Sequence, residues 1–191
     1  MKYKNLLCLL VVMLLSLTGC ADHTVRLLYR QAPDTAVLSA DAPHVEVQLF
    51  ADQRKDAWIG VRMGKNGGNF QAGSSVPEWV TQTLVDELIL QGVRAEYSNG
   101  RTPLPAHADY TVTGEILQLW LTEYYPTQYQ VELQIAIHMA MPDGSNWTEK
   151  FMVTQEKTGM PGSKLAESLL NEAMRSAASS ASAKIRELLA R

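Results

Sequence analysis

Three charged side chains follow the end of a predicted strand and could form a polar binding site. Asp52, Arg54 and Asp56 come directly after residues 45–50, in which apolar and polar side chains alternate with the period of a strand. Loops at the ends of strands often carry binding residues, because the sheet holds them in place. We therefore expect these residues to receive a ligand or a protein partner. The alternative is structural, with Asp52 and Arg54 bonding to backbone groups and holding the loop.

Four aromatic side chains form a second candidate site at a connection between two strands. Trp120, Tyr124, Tyr125 and Tyr129 surround Pro126. Aromatic residues at an exposed tip can anchor a binding partner, because each offers a large contact area. The alternative is that these rings close the end of the hydrophobic core or form an aromatic turn.

The sequence lacks the residue patterns of common catalytic and metal sites. It contains no Gly-x-Ser-x-Gly and no His-Glu-x-x-His, and the glycine-rich residues 64–68 lack the Gly-Lys-Ser/Thr ending of a phosphate loop. Asp86 and Glu87 are adjacent on a predicted helix and point apart, which does not suit glycoside chemistry. The histidines are not spaced as metal pairs would be on a helix or strand: His23, His44, His107 and His138. We predict a protein that is not an enzyme and holds no metal or cofactor.

The N-terminus has the features of an export signal. Lys2 and Lys4 precede an apolar run over residues 6–17, which is shorter than the ~20 residues of a membrane-spanning helix. The run ends in residues 17–20, Leu-Thr-Gly-Cys, which resemble the lipobox of bacterial lipoproteins. The resemblance implies that Cys20 becomes the mature N-terminus and carries fatty acyl chains such as palmitate on its sulfur and nitrogen. The alternative is a plain secretory signal followed by an incidental cysteine.

The residue after the lipobox cysteine indicates the destination. In enteric-type lipoproteins an aspartate there retains the protein at the inner membrane, and this chain has Ala21. The resemblance therefore implies an outer-membrane protein, anchored by lipid and facing the periplasm. Several acyl chains anchor stably, whereas a single chain binds membranes only marginally.

Composition limits the partners of the mature chain. The whole chain of 191 residues has a net charge of −3, and loss of Lys2 and Lys4 with the signal makes it more acidic. A mildly acidic domain is a poor nucleic-acid binder, since such proteins need a basic face. The two cysteines are Cys8, inside the signal, and Cys20. The mature domain therefore has no disulfide and depends on its core for stability.

The rest of the chain alternates between strand and helix patterns. Residues 20–43 predict a tether, in which residues 25–29 could form a short strand or contact the domain, and 51–73 predict a long mobile loop or hairpin. A capped helix starts at Ser75 and ends at Gly92. Three long strands then alternate apolar and polar residues, and a last helix with many small residues follows residue 163.

These elements predict one α+β domain over residues 44–191, behind a signal peptide (1–19) and a lipidated tether (20–43). Consecutive long strands with short links favour an antiparallel meander. Two helices on one face of a mostly antiparallel sheet make a two-layer sandwich. The polar face of the long strands would then be open to solvent or to a partner.

The order of elements resembles the YajG-type family of small bacterial lipoproteins over nearly the whole mature chain. The resemblance rests on the lipobox, on residues 45–50 followed by Ala-Asp-Gln-Arg, and on the helix that ends Leu-Ile-Leu-Gln-Gly. The strand with Asp-x-Arg and the helix ending in glycine occur also in auxiliary lipoproteins of lipid-transporting ABC systems. The resemblance implies a fold and a compartment but no reaction.

Two hypotheses of function follow. The first is a non-enzymatic binding or accessory component of an envelope assembly, with an envelope protein as partner. The second is an auxiliary subunit of a lipid or solute transport system. This second hypothesis predicts an apolar groove, able to hold a lipid ligand, near the 51–73 loop or the 120–129 region.

Overall fold

The computed structural model describes residues 23–28, 42–63, 67–99, 108–160 and 163–190. The described strands form one nine-stranded sheet, and two helices pack with it around a common core. The strands are β1 (His23–Val25), β2 (His44–Gln48), β3 (Ala51–Asp52), β4 (Gly60–Arg62), β5 (Asn69–Ala72), β6 (Arg94–Ser98), β7 (Tyr110–Tyr125), β8 (Gln128–Ala140) and β9 (Asn146–Thr158). The helices are α1 (Val76–Leu90) and α2 (Ser163–Leu189). The predicted α+β sandwich with a mostly antiparallel sheet is confirmed.

Strand β7 is the centre of the sheet. One of its edges pairs antiparallel with β8, which pairs antiparallel with β9, so the predicted meander is confirmed. The other edge pairs in parallel with β2, β3 and β4 in turn. Strand β2 also pairs in parallel with β6, and β5 lies between β4 and β1. Three separate short segments therefore share one long strand, and the chain between them must leave the sheet and return.

The helix boundaries follow the predicted capping residues. The Glu78 backbone N–H donates to Ser75 Oγ at 3.3 Å, which satisfies one free donor of the first turn of α1. Gly92 has φ of +81°, the left-handed conformation that ends a helix and favours glycine. In α2 the buried side chains are mostly small, and Gln91 Nε2 donates to Ser182 Oγ at 2.6 Å. The small residues of α2 thus also let it lie close to the end of α1.

Part of the predicted tether belongs to the sheet. Strand β1 pairs in parallel with β5, and the side chains of Val25 and Leu27 are buried in the core. The Trp79 indole N–H donates to the Leu28 carbonyl oxygen at 2.8 Å, which ties this segment to α1. Within residues 25–29 the sequence suggested a short strand or a contact with the domain: residues 25–28 make the contact, whereas the strand lies earlier, over His23–Val25. Cys20 and the remainder of the signal and tether lie outside the described residues.

Residues 51–73 contribute three strands, two of which form the hairpin that the sequence offered as the alternative to a long loop. Strands β4 and β5 form an antiparallel hairpin, and β4 is inserted between β5 and β7. Ile59 and Phe70 are buried in the core. The apolar residues that hold this hairpin are isolated among polar and glycine residues, so no period of two was visible in the sequence.

A β-bulge at Leu117 reverses the side-chain alternation of β7. The register with β8 shifts between Ile116 and Gln118. Inward-facing positions are Val112 and Ile116 before the bulge, but Leu119 and Leu121 after it. Positions 118 and 120 consequently face away from the core.

Among the described helices none is long and apolar enough to cross a membrane.

Candidate functional site

A groove opens where the chain leaves β7 between β3 and β4. Strand β3 pairs with residues 115–116 of β7, and β4 pairs with residues 121–123. The Gln53 N–H donates to the Ile116 carbonyl at 3.0 Å, and the Leu121 N–H donates to the Ile59 carbonyl at 2.7 Å. Residues 54–58 span the gap between these two bonds, opposite the bulge.

The groove encloses a volume of about 440 Å³. This lies within the ~300–1,000 Å³ typical of small-molecule sites. Its lining comes from the loop and from the bulged part of β7: Gln53, Arg54, Lys55, Asp56, Trp58, Leu117, Gln118, Leu119 and Trp120. The structure therefore joins part of the predicted polar site with Trp120 of the predicted aromatic site, although the two are far apart in sequence.

Arg54 is locked against Asp52 by a bidentate ion pair. Arg54 Nε donates to Asp52 Oδ1 and Nη2 donates to Oδ2, each at 2.8 Å. The hydrogen bonds from the Arg54 side chain hold the pKa of Asp52 below its ordinary value of 3.8. Arg54 Nη1 also donates to the Trp58 carbonyl at 3.4 Å, and only 9% of the Arg54 side chain is exposed. These contacts match the structural interpretation, in which Asp52 and Arg54 hold the loop.

The other residues of the loop and strand are available to a ligand. Lys55 and Asp56 are exposed, and Trp58 and Trp120 are partly buried. Trp120 faces the groove because the bulge at Leu117 turns it away from the core. The groove therefore combines two indole rings with one cation and one anion at its rim. A role of Asp56 and Trp120 in binding stays a prediction.

A chain of hydrogen bonds runs from the groove across the outer face of the meander. Gln118 Nε2 donates to Glu132 Oε2 at 2.7 Å, and Gln130 Nε2 donates to Glu132 Oε1 at 3.2 Å. The Tyr124 hydroxyl donates to Gln130 Oε1 at 2.6 Å. The polar face of the long strands is therefore an ordered surface that links the groove to the aromatic connection.

The four predicted aromatic residues do not form one cluster. Tyr124 and Tyr125 are 39% and 66% exposed at the β7–β8 connection, where a partner could reach them. Tyr129 is a correction to the predicted site, because it is only 3% exposed and packs in the core. Burial and contact with the Glu123 carboxylate raise the pKa of Tyr129 from 10.0 to about 12. The alternative role as an end cap of the core fits Tyr129.

Sequence reasoning missed a buried ion pair beside Tyr129. Arg62 Nε lies 2.7 Å from Glu123 Oε2, and the Glu123 side chain is 4% exposed. Arg62 Nη1 also contacts His23 Nε2, so the pair joins β1, β4 and β7. The hydrogen bond to Glu123 raises the pKa of Arg62. The sequence signal for this pair is Glu123, but the alternation along β7 places its side chain inward only after the bulge.

A second cleft of about 600 Å³ lies between the two helices. Glu87 Oε1 lies 3.9 Å from Arg175 Nε across this cleft. Burial raises the pKa of Glu87 despite the nearby Arg175. The rest of the lining comes from Leu28, from Thr83 of α1 and from these residues of α2: Ser168, Asn171, Glu172, Met174, Ser176 and Ser179. At 3.9 Å this pair is too long for a hydrogen bond.

Within residues 23–28, 42–63, 67–99, 108–160 and 163–190, no three His, Cys, Asp or Glu side chains are grouped as metal ligands. His107 and Cys20 lie outside these ranges.

No family model and no curated protein matches this sequence. Among solved structures, a Xanthomonas campestris protein of family model DUF330 superposes with a TM-score of 0.59 and 8% identity, over 83% of this chain and 91% of that chain. An uncharacterised protein superposes with a TM-score of 0.50 and 14% identity, over 86% of this chain and 99% of that chain. A lipoprotein from Neisseria meningitidis gives a TM-score of 0.40 at 9% identity, over 68% of this chain and 96% of that chain, which is too distant to support an argument.

The first two likenesses show a shared fold and nothing about activity. The YajG-type resemblance stays a prediction, because no family model matches.

Proposed function

We propose that this protein is a lipid-anchored, periplasm-facing component of the outer membrane that binds another envelope component without catalysing a reaction. One observation carries the proposal: the loop 54–58 and the bulge of β7 form a groove that joins two sites predicted independently from the sequence. The groove contains exposed charges and two indoles. Its one strongly held charge, Arg54, is neutralised by Asp52. Such a lining suits the binding of a partner better than the catalysis of a reaction.

The anchor rests on the lipobox sequence that ends at Cys20. Cells grown with an alkyne-tagged palmitate should incorporate the tag into the wild-type protein and not into Cys20→Ser. The wild-type protein should fractionate with outer-membrane markers, and the variant should not. Tagging that persists in Cys20→Ser would disprove acylation at this residue.

Binding at the groove can be tested by crosslinking in intact cells. A benzoylphenylalanine placed at Lys55, on the exposed rim of the groove, should give a reproducible adduct in the membrane fraction. The matched control is the same photoreactive residue at Leu90, which is 54% exposed at the end of α1. Equal adducts from both positions, or none from Lys55, would argue against a binding role for the groove.

The second candidate is an auxiliary subunit of a lipid or solute transport system. The observation that favours it is the position of the groove, which lies beside residues 54–58, in a region where this hypothesis predicted an apolar groove, and has Leu117 in its wall. Native mass spectrometry of the protein, gently extracted in detergent, should then show a bound phospholipid that is lost in Trp120→Ala. A ligand-free spectrum would count against this candidate.

A further inference from the structure

We propose that the groove between residues 54–58 and the bulge of β7 binds a neutral oligosaccharide. This inference rests on the proposed binding function and names the chemical class of the ligand. It follows from the charges of the lining, from its two indoles and from the Gln118 amide.

The charges of the lining cancel in pairs. Both Arg54 nitrogens that face Asp52 are committed to its carboxylate oxygens at 2.8 Å, so this guanidinium is not available to an anion. Lys55 and Asp56 are adjacent, exposed and opposite in charge. A phosphate or carboxylate ligand would be attracted by Lys55 and repelled by Asp56. A cationic ligand would be attracted by Asp56 and repelled by Lys55. The balance of charge therefore favours a ligand with no charge.

Two indoles line the groove, one from each of the two segments that form it. Trp58 comes from the loop, where its carbonyl accepts a hydrogen bond from Arg54 at 3.4 Å, and Trp120 comes from β7. One face of a pyranose ring carries mainly C–H groups, so it can stack on an indole while the hydroxyls point outward. Indole rings supply a large apolar contact area of this kind.

Polar groups of the same lining match hydroxyl groups. The Gln118 amide is oriented by its bond to Glu132 at 2.7 Å, which leaves its carbonyl oxygen to accept a hydrogen bond. The Asp56 carboxylate can accept another, and the Lys55 ammonium can donate one. An acyl chain in the same place would remove water from these groups without replacing their hydrogen bonds, which is costly. The mixed lining therefore favours a sugar over a lipid.

The test is a titration of the full-length protein in detergent micelles, followed by NMR of the tryptophan indole N–H signals. The probes are two neutral oligosaccharides, a β-1,4-linked tetramer of N-acetylglucosamine and maltotetraose, with inorganic phosphate as the anionic comparison. At least one sugar should shift the signals of Trp58 and Trp120. The signals of Trp79 and Trp147 should stay in place, because neither residue lines the groove. Phosphate should shift none of them.

Variants test whether ring stacking contributes to sugar binding, and ionic strength tests whether charge does. Trp120→Ala should weaken sugar binding at least tenfold, and Trp120→Phe should weaken it less, since a smaller ring still stacks. Raising the ionic strength should keep the affinity within about threefold, because screening by salt does not weaken the binding of an uncharged ligand. Tyr125→Ala, an exposed aromatic outside the groove, is the matched control and should change nothing.

Absence of a shift at Trp58 and Trp120 with both sugars would overturn the inference. So would a tenfold loss of affinity at high ionic strength, which would mark a charged ligand. A protein adduct from the Lys55 crosslinker without any sugar-induced shift would leave the proposed binding function standing and remove the oligosaccharide as its ligand.

Discussion

Replacing Gly114 by alanine should destabilise the protein through one contact. A Cβ at Gly114 would overlap the Phe50 ring at Cε2 and Cζ and lie 2.7 Å from its Cδ2. Phe50 is 1% exposed, and its backbone N–H is held by Thr81 Oγ1 at 3.1 Å, so the ring has little room to move. Overpacking of this kind costs about 1–3 kcal/mol. Loss of glycine's freedom in the unfolded chain returns about 0.4–1 kcal/mol, so a net loss of about 1–2 kcal/mol is expected.

A double-mutant cycle with Phe50→Leu isolates the contact. Leucine lacks the outer ring atoms, so Gly114→Ala in the Phe50→Leu background should keep only the gain of about 0.4–1 kcal/mol from the unfolded chain. The coupling energy should then equal the cost of the overpacking, about 1–3 kcal/mol, within the range of residues in direct contact. Urea unfolding of the full-length protein, followed by far-ultraviolet circular dichroism, would measure all four variants. If Gly114→Ala costs the same with leucine as with phenylalanine at position 50, the ring contact is not the cause.

Three further predictions concern the pH response, the site loop and the first helix. The raised pKa of Tyr129, about 12 against 10.0, means that stability from its neutral phenol is present below pH 10 and is lost as pH rises towards 12. Tyr129→Phe should therefore make the unfolding free energy less dependent on pH between pH 10 and 12. Asp52→Asn should speed amide hydrogen exchange in residues 54–58 severalfold, and unchanged exchange would show that the ion pair does not hold the loop. Because the pKa of Asp52 is lowered, exchange in the wild-type loop should become faster only as the pH falls below about 4. Ser75→Ala should lower the unfolding free energy by about 1 kcal/mol through loss of the cap, whereas Ser75→Asp should retain it.

Much of the fold could be predicted because long elements repeat their pattern. The meander and both helices each contain several periods of alternating or four-residue spacing, and a single exception does not hide such a signal. Short strands do not have this redundancy. The alternation in β2 predicted that Leu49 would face inward, but β2 ends at Gln48, Leu49 is 41% exposed, and Phe50 is buried instead.

The sequence indicated several residues of the candidate site, but not which of them lie together. Asp52 and Arg54 were visible as charged residues at a strand end, but their ion pair with each other was not predicted. Trp120 was assigned to the tyrosine connection because it is close to Tyr124 in sequence. Its place in the groove depends on which segments share the edge of β7, and parallel pairing between distant segments leaves no local signal.

One extra residue at Leu117 explains both the groove and the ion pair that the sequence did not reveal. Without the bulge, Trp120 would keep the inward phase of Ile116, and Glu123 would face outward. With it, Trp120 lines the groove, while Glu123 turns inward and meets Arg62 at 2.7 Å. The buried pair fixes β4 on β7 immediately beyond the bulge, and the Gln53–Ile116 hydrogen bond fixes the chain immediately before it. Residues 54–58 are therefore held at both ends next to the bulge, which also turns Trp120 towards them. For this reason we expect a binding surface here and not along the regular part of the meander.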